Sequence, residues 1–175
     1  PQVFLLIYIV AIQDRNDLTR LGLVAVGPRG HIVVSLDAGA TWQQSPVPVS
    51  SDLTAVYFPS PKVGWAVGHD GVVLATTDGG ATWANVPGAN AAAAADGGCQ
   101  CGYDQTIGLD PNNANNLYIG FQELWKSTNA ANANPAAITF ANVTANQVHW
   151  DHHALVFGQE PANPTAVFVG EDGGI

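Results

Sequence analysis

The chain has 175 residues, enough for one medium domain, and its 47% hydrophobic content excludes an intrinsically disordered polymer. Lys and Arg total 5 against 14 Asp and Glu, a formal charge of −9, which opposes nucleic acid and anionic membrane as electrostatic partners. Only 11% of residues are charged, against roughly 25% in a typical soluble domain, so the surface must draw on Asn, Gln, Ser, Thr, Gly and small apolar side chains. That composition suits strands and turns better than helices. Methionine is absent, position 1 included, so the expectation is a processed product, a fragment or a partial reading of a longer gene.

The first apolar stretch runs from Val3 to Ile12. It falls short of the roughly 18–20 residues that span a bilayer. Its β-branched and aromatic residues (Val3, Phe4, Ile7, Tyr8, Ile9, Val10) fit a buried strand, with the apolar core of an export signal as the other reading.

Internal repetition organises the rest of the chain. An apolar strand ending in Gly occurs four times, at Val24–Gly27, Trp65–Gly68, Leu117–Gly120 and Val167–Gly170, with the glycines 41, 52 and 50 residues apart. In three copies two residues and a second Gly follow (Gly30, Gly71, Gly173), the mark of a tight hairpin that needs positive φ. Each unit also opens with a strand, at Thr54–Phe58, Thr106–Asp110 and Ala154–Phe157, leading into Pro- and Asn-rich turns. Four short strands in each repeat of 40–50 residues is the period of a β-propeller blade. The prediction is therefore an all-β chain of about four blade-like repeats near 17–50, 51–100, 101–150 and 151–175, with a seam near 88–100.

A more specific signature lies after the third strand of the first two units. Ser35-x-Asp37-x-Gly39-x-Thr41-Trp42 recurs as Thr76-x-Asp78-x-Gly80-x-Thr82-Trp83. The Asp carboxylate can accept N–H groups across a turn, Gly supplies a left-handed backbone, and Trp buries its ring between neighbouring sheets. These residues are assigned to the scaffold. A third copy, Ser127-Thr128-Asn129-Ala130-Ala131, has Asn for Asp and Ala for Gly and lacks the Thr-Trp, so a looser turn is expected there.

Cys99 and Cys101 offer two metal ligands at most, and no second pair completes a zinc site. In the cluster His149-Trp150-Asp151-His152-His153, an extended strand at about 3.3 Å per residue would set His149 and His153 roughly 13 Å apart, too far to share one ion. No metal and no cofactor is expected.

Ser/Thr-x-Asp-x-Gly-x-Thr-Trp is the Asp box of bacterial-neuraminidase-type repeats. Residues 21–86, with "SLDAGATW", "DLTAVYF" and "GWAVGHDGVVLATTDGGATW", resemble the photosystem II assembly and stability factor family and its non-photosynthetic bacterial relatives. Residues 102–175, with "YDQTIGLDPNNANNLYIG", "LWKST", "VHWDHHALVF" and "VFVGEDGGI", are similar to sortilin and xyloglucanase-like Asp-box propellers. The resemblance implies a propeller of six to eight blades, usually exported, of which about four are visible here.

The resemblance also brings glycoside hydrolysis into consideration. Sialidases of this kind hold their substrate with an arginine cluster, whereas this chain has only Arg15, Arg20 and Arg29, so sialidase activity is not expected. Other glycosidases need two carboxyls about 5–10 Å apart. Asp17, Asp52, Asp104 and His152 stand at matching points ahead of successive strands and would ring one mouth of the channel if those strands are innermost. They fit two readings: Asx turns capping the strands, or an acidic and aromatic binding mouth joined by Tyr103, Trp150, Asp151 and His153. Within such a mouth, an Asp52–Asp104 or Asp104–Asp151 pair would serve as acid and base.

The leading expectation is a non-catalytic, extracytoplasmic propeller, periplasmic or secreted, that binds a protein partner as assembly factors do. Those factors are expected to engage membrane-protein subunits, often through basic patches, and this acidic chain departs from that pattern. The rival readings are a polysaccharide-active hydrolase of the xyloglucanase-like kind and a structural subunit of a larger complex. No nucleic acid and no transmembrane segment is expected.

Overall fold

The computed structural model describes residues 8–14, 17–96, 105–145, 147–158 and 166–174. The chain divides into two compact units, Pro1–Asn85 and Val86–Ile175.

The first unit holds two four-stranded antiparallel meanders. One contains β1 (Tyr8–Asp14), β2 (Asp17–Val26), β3 (Ile32–Ser35) and β4 (Gln43–Gln44), and the other β5 (Leu53–Tyr57), β6 (Gly64–Gly68), β7 (Val72–Thr76) and β8 (Ala84–Asn85). The apolar stretch near the start of the chain thus supplies a strand over Tyr8–Asp14, paired in register with β2 from Tyr8↔Val26 to Gln13↔Leu21. Asp17 opens β2, the second strand of its sheet, whereas Asp52 precedes β5, the first strand of the next. Their expected equivalence does not hold, because 17–26 is one continuous strand whose second half is the Gly-ending repeat.

The hairpins after β2 and β6 are built alike. Arg29 and Gly30 have φ of 56° and 70°, and Asp70 and Gly71 have 62° and 67°. Two successive positive φ values define the type I′ turn, whose twist matches that of the flanking strands. Each turn closes on a backbone bond, His31 N–H to the Pro28 carbonyl at 3.2 Å and Val72 N–H to the His69 carbonyl at 3.3 Å. Glycine at position 30 meets a second demand, since a Cβ there would fall on the Val49 carbonyl oxygen.

Between the third and fourth strands of each sheet stands an Asp box. Asp37 Oδ1 accepts the Ser35 hydroxyl and the Thr41 N–H, both at 2.8 Å, while Oδ2 accepts the Thr41 hydroxyl at 2.6 Å. The Gly39 N–H donates back to Ser35 Oγ at 2.8 Å, and Trp42 Nε1–H reaches the Gly39 carbonyl at 3.1 Å. The second box repeats this bond for bond through Thr76, Asp78, Gly80, Thr82 and Trp83, with distances from 2.6 to 3.0 Å.

This turn carries the contact between the two sheets. A Cβ on Gly80 would stand 3.3 Å from both Val24 Cγ2 and Val34 Cγ2, so the turn lies directly on the first sheet. Ser45 there donates its hydroxyl to the Gly80 carbonyl at 2.6 Å. Trp83 packs edge-on against Phe58, with ring centroids 5.9 Å apart, and joins Val24, Val26, Ile32, Leu53, Ala66, Val72 and Leu74 in one apolar core. The β6 and β7 strands are buried at every residue, which explains their unbroken apolar sequence. Trp42 makes the same turn bond yet stays 38% exposed and outside that core, so the expected burial of both box tryptophans holds for Trp83 alone.

The second unit begins with a feature the strand-rich composition did not suggest, the helix α1 (Pro87–Ala95). Alanine has the best intrinsic helix propensity, and proline is tolerated in a first turn. Ala89, Ala92 and Ala93 are buried, and Gly88 is pressed against the Ile138 carbonyl, where a Cβ would not fit. A third meander comes next, β9 (Thr106–Leu109), β10 (Leu117–Gly120), β11 (Leu124–Ser127) and β12 (Ala141–Asn142). The last sheet pairs β13 (His152–Phe157) with β14 (Val167–Glu171). Leu155 and Phe157 of β13 pack over Gly108 of β9, and Phe157 meets the Tyr118 ring at 5.6 Å between centroids.

The third Asp box is displaced and not absent. Ser127 Oγ–H donates to Asn129 Oδ1 at 2.9 Å, as Ser35 does to Asp37. The Thr139 N–H then donates to the same Asn129 oxygen at 3.1 Å, ten residues on, where Thr82 bonds Asp78 four residues on. Thr139-Phe140-Ala141-Asn142 therefore stands where the second box has Thr82-Trp83-Ala84-Asn85. The longer turn is tied down, since Asn129 Nδ2 donates to the Ala137 carbonyl at 2.9 Å and Ile138 is fully buried. The copy does lack the Thr-Trp, and Thr139-Phe140, ten residues on from Asn129, takes its place in this register. The hairpin after β14 differs too: Gly174, not Gly173, takes positive φ (124°), and Glu171 and Gly174 exchange backbone bonds at 2.9 Å.

Two substitutions separate the box tryptophans. Trp83→Ala should cost about 3–5 kcal/mol in urea unfolding, the usual range for a buried Trp or Phe. Trp42→Ala should cost less than half of that, and equal costs would contradict the packing described.

Candidate functional site

Asp52 is committed to structure. Its Oδ1 accepts the Arg29 N–H at 2.8 Å, tying the type I′ turn of the first sheet to the start of the second. The same junction is closed by Leu53 N–H to the Gly27 carbonyl at 3.1 Å, Gly30 N–H to the Ser51 carbonyl at 2.9 Å, and Ser51 Oγ–H to Asp70 at 2.7 Å.

The Asp-box carboxylates are likewise consumed. The Thr41 hydroxyl, helped by the Thr41 N–H and Ser35, holds the Asp37 carboxyl down at about 2. For Asp78, partial burial works upward but is outweighed by bonds from Thr82 and Thr76, leaving it below its ordinary value. Between the two boxes runs a groove of about 380 Å³ lined in part by Leu36, Asp37, Gln43 and Asp78.

In the second unit the residues expected to form a mouth separate into two groups. His152 does not line a surface. It is fully buried, its N–H donates to the Phe121 carbonyl at 3.0 Å, and its Cβ lies where a Cβ on Gly120 would stand. Neither ring nitrogen has a hydrogen-bond partner among the described residues, and Nδ1 lies 3.6 Å from Glu171 Oε2. Burial pushes the imidazole below its usual value, against the pull of the carboxylates of Glu171, Glu123, Asp96 and Asp151. Two of these are themselves buried. Asp96 caps α1 and accepts the Glu123 N–H at 3.0 Å, while the Thr144 hydroxyl bonds Glu123 Oε2 closely. Burial raises the Asp96 carboxyl, the Glu123 N–H opposes this, and the Glu123 charge adds to it.

Trp150, Asp151 and His153 form the outer group. Val148, His149, Trp150 and Asp151 line a shallow hollow of about 380 Å³, in which Trp150 is 51% exposed. His149 N–H donates to Glu171 Oε1 at 3.2 Å and His153 Nε2 pairs with Asp172 Oδ1 at 2.8 Å, so this loop is fastened to the turn after β14. Asp151 holds φ of 70°, a left-handed conformation uncommon outside glycine. Glu171 and Asp172 were not singled out from sequence; the signal available was their place just after the fourth Gly-ending strand.

Tyr103, Asp104, Cys99 and Cys101 lie outside the described residues. Asp52 and Asp151 belong to different units. Among the described residues no group of three or more His, Cys, Asp or Glu could hold a metal ion, and no helix is long and apolar enough to cross a membrane.

Residues 34–96 match the family model described as photosynthesis system II assembly factor YCF48. Among solved structures, an ancestral GH74 enzyme aligns at a TM-score of 0.61 and 16% identity, covering 94% of this chain and 21% of that one. This is a run of Asp-box β-propeller blades. The GH74 xyloglucanase from Xanthomonas campestris aligns at 0.56 and 17% identity, covering 86% of this chain and 25% of its own. The Niastella koreensis GH74 enzyme aligns at 0.56 and 16% identity, covering 97% and 26%. The Asp-box propeller chain thus spans about a quarter or less of these proteins, and at such identity the likeness is one of fold. No curated protein matches the sequence.

Two groups can be titrated to check these environments. The Asp37 carboxyl should titrate by NMR with a midpoint at about 2, moving up toward the ordinary 3.8 in Thr41→Val; stability from this group is present above 3.8 and lost as pH falls toward 2. For His152 the folded value is lowered, so the unfolded chain binds more protons and stability should decline as pH drops below about 6.5. Thermal unfolding of wild type and His152→Leu isolates that component: the decline should shrink in the variant, and an unchanged decline would assign it to another group.

Proposed function

We propose that the chain is part of a non-catalytic, extracytoplasmic β-propeller that binds a protein partner in the manner of an assembly factor. The observation that carries this reading is the match of residues 34–96, which contain both Asp boxes entire, to the YCF48 assembly-factor model. The extracytoplasmic placement follows the family resemblance of residues 21–86. The site chemistry agrees with a binding role. Asp37 and Asp78 spend their oxygens on turn hydrogen bonds, and Asp52 holds a hairpin, so none of the three is poised as a general acid or base. The half-exposed Trp150 beside polar side chains offers the kind of amphipathic anchor on which protein interfaces concentrate their energy.

A polysaccharide-active hydrolase is the second reading, favoured by the same exposed Trp150 next to Asp151, since an indole also stacks on a sugar ring. One comparison separates the two. The full chain is incubated with xyloglucan oligosaccharides and, in parallel, with an array of immobilised peptides. The binding reading expects a subset of peptides to be retained with micromolar affinity, and no new reducing ends. Release of reducing ends that disappears in Asp151→Asn would overturn it in favour of the hydrolase.

A further inference from the structure

We infer that the hollow around Trp150 is a docking point for an arginine side chain carried on an extended segment of the partner protein; this deepens the binding reading above and rests on it. Charge is the first argument. From residue 86 to the end of the chain, Lys126 is the only Lys or Arg, against eight Asp and Glu. That lysine is already engaged, with Nζ 5.1 Å from the centre of the Tyr118 ring. The second unit therefore carries a surplus of negative charge without a basic patch of its own.

Geometry places part of that surplus beside the aromatic group. The His149 N–H bond to Glu171 and the His153 pair with Asp172 fasten the Trp150 loop over the turn after β14. A Cβ on Gly173 would come within 2.8 Å of His149 Cβ, so the loop and the turn are in direct contact. Trp150 at 51% exposure and Val148 at 43% line the hollow together with Asp151, while the more than half-exposed Asp172 holds His153 on the adjoining turn.

An indole face beside carboxylates is selective in a definite way. The ring quadrupole attracts a cation over its face, and a carboxylate at the rim accepts N–H groups from the same cation. Arginine suits both better than lysine. Its planar guanidinium stacks on the ring while its edge presents a fork of donors, and it gives up hydration at lower cost than an ammonium. Val148 adds apolar surface for the methylene stem. A sugar would use the ring without needing the charge, and that difference can be measured.

The probe is a capped Gly-Arg-Gly peptide, titrated into the full chain while the indole N–H resonances are monitored by NMR. The Trp150 resonance should move, and the Trp125 resonance, from β11 of the same unit, should stay in place as a control for folding. The same peptide with citrulline, which keeps the shape but not the charge, should leave Trp150 unmoved. Asp151→Asn and Trp150→Ala should each weaken binding about fivefold or more. Equal binding of the citrulline peptide, or a Trp150 shift produced by xyloglucan oligosaccharides and not by the arginine peptide, would overturn the inference. If peptides on the array bind while Trp150 ignores arginine, this inference fails and the protein-binding reading survives. If no peptide binds at all, both fail.

Discussion

One arrangement recurs between the third and fourth strands of each four-stranded sheet. A side-chain oxygen at the head of a loop is clamped by a threonine N–H several residues later, and an aromatic residue comes directly after it. In the first unit the clamp is Asp37 with Thr41 and Asp78 with Thr82. Fixing the loop at both ends lets Gly80 take φ of 89° and lie on Val24 and Val34, which brings Trp83 against Phe58. Without the clamp, the exposed turn would have to be ordered by packing alone. With it, the apolar core between the sheets is continuous.

Much of this was legible in the sequence because local hydrogen bonding and alternation are local codes. The four Gly-ending strands all became second strands of their sheets, and the type I′ hairpins at Arg29-Gly30 and Asp70-Gly71 arise from their Gly residues. Three features were hidden for physical reasons. The clamp at Asn129 closes ten residues on instead of four, so a fixed-spacing pattern passes over Thr139-Phe140. The helix α1 arises from an alanine run whose only period is its composition, and its buried face is defined by what packs on it. Exposure of Trp42 and burial of Trp83 cannot be read from two identical motifs, because it depends on which sheet faces which.

The candidate site was legible by chemistry and not by arrangement. The cluster at 149–153 stood out, but its members divide, with His152 fully buried and Trp150 half exposed. Strand alternation alone does not explain the division. His152 is held inside by its bond to the Phe121 carbonyl and by the absence of a side chain on Gly120, both set by a strand more than thirty residues earlier in the sequence. Likewise Asp52 looked like a member of a ring of acids, yet its partner is the Arg29 amide in the preceding sheet. Among the described residues, Asp37, Asp52, Asp78, Asp96, Asp110 and Glu171 all accept backbone N–H groups. Among the described residues of the 149–153 cluster, Trp150 is the large side chain left half exposed.

The central claim is that the side-chain clamp, in its short and long forms, orders the turns between third and fourth strands. Amide hydrogen exchange at Thr41, Thr82 and Thr139 tests it most directly, because all three N–H groups point at a side-chain oxygen on the protein surface and not into a strand ladder. The account predicts slow exchange at all three, with Thr82 alone released by Asp78→Ala. Exchange of Thr139 at the rate of an unstructured loop, with Thr41 and Thr82 protected, would contradict the third clamp; fast exchange at all three would contradict the account as a whole.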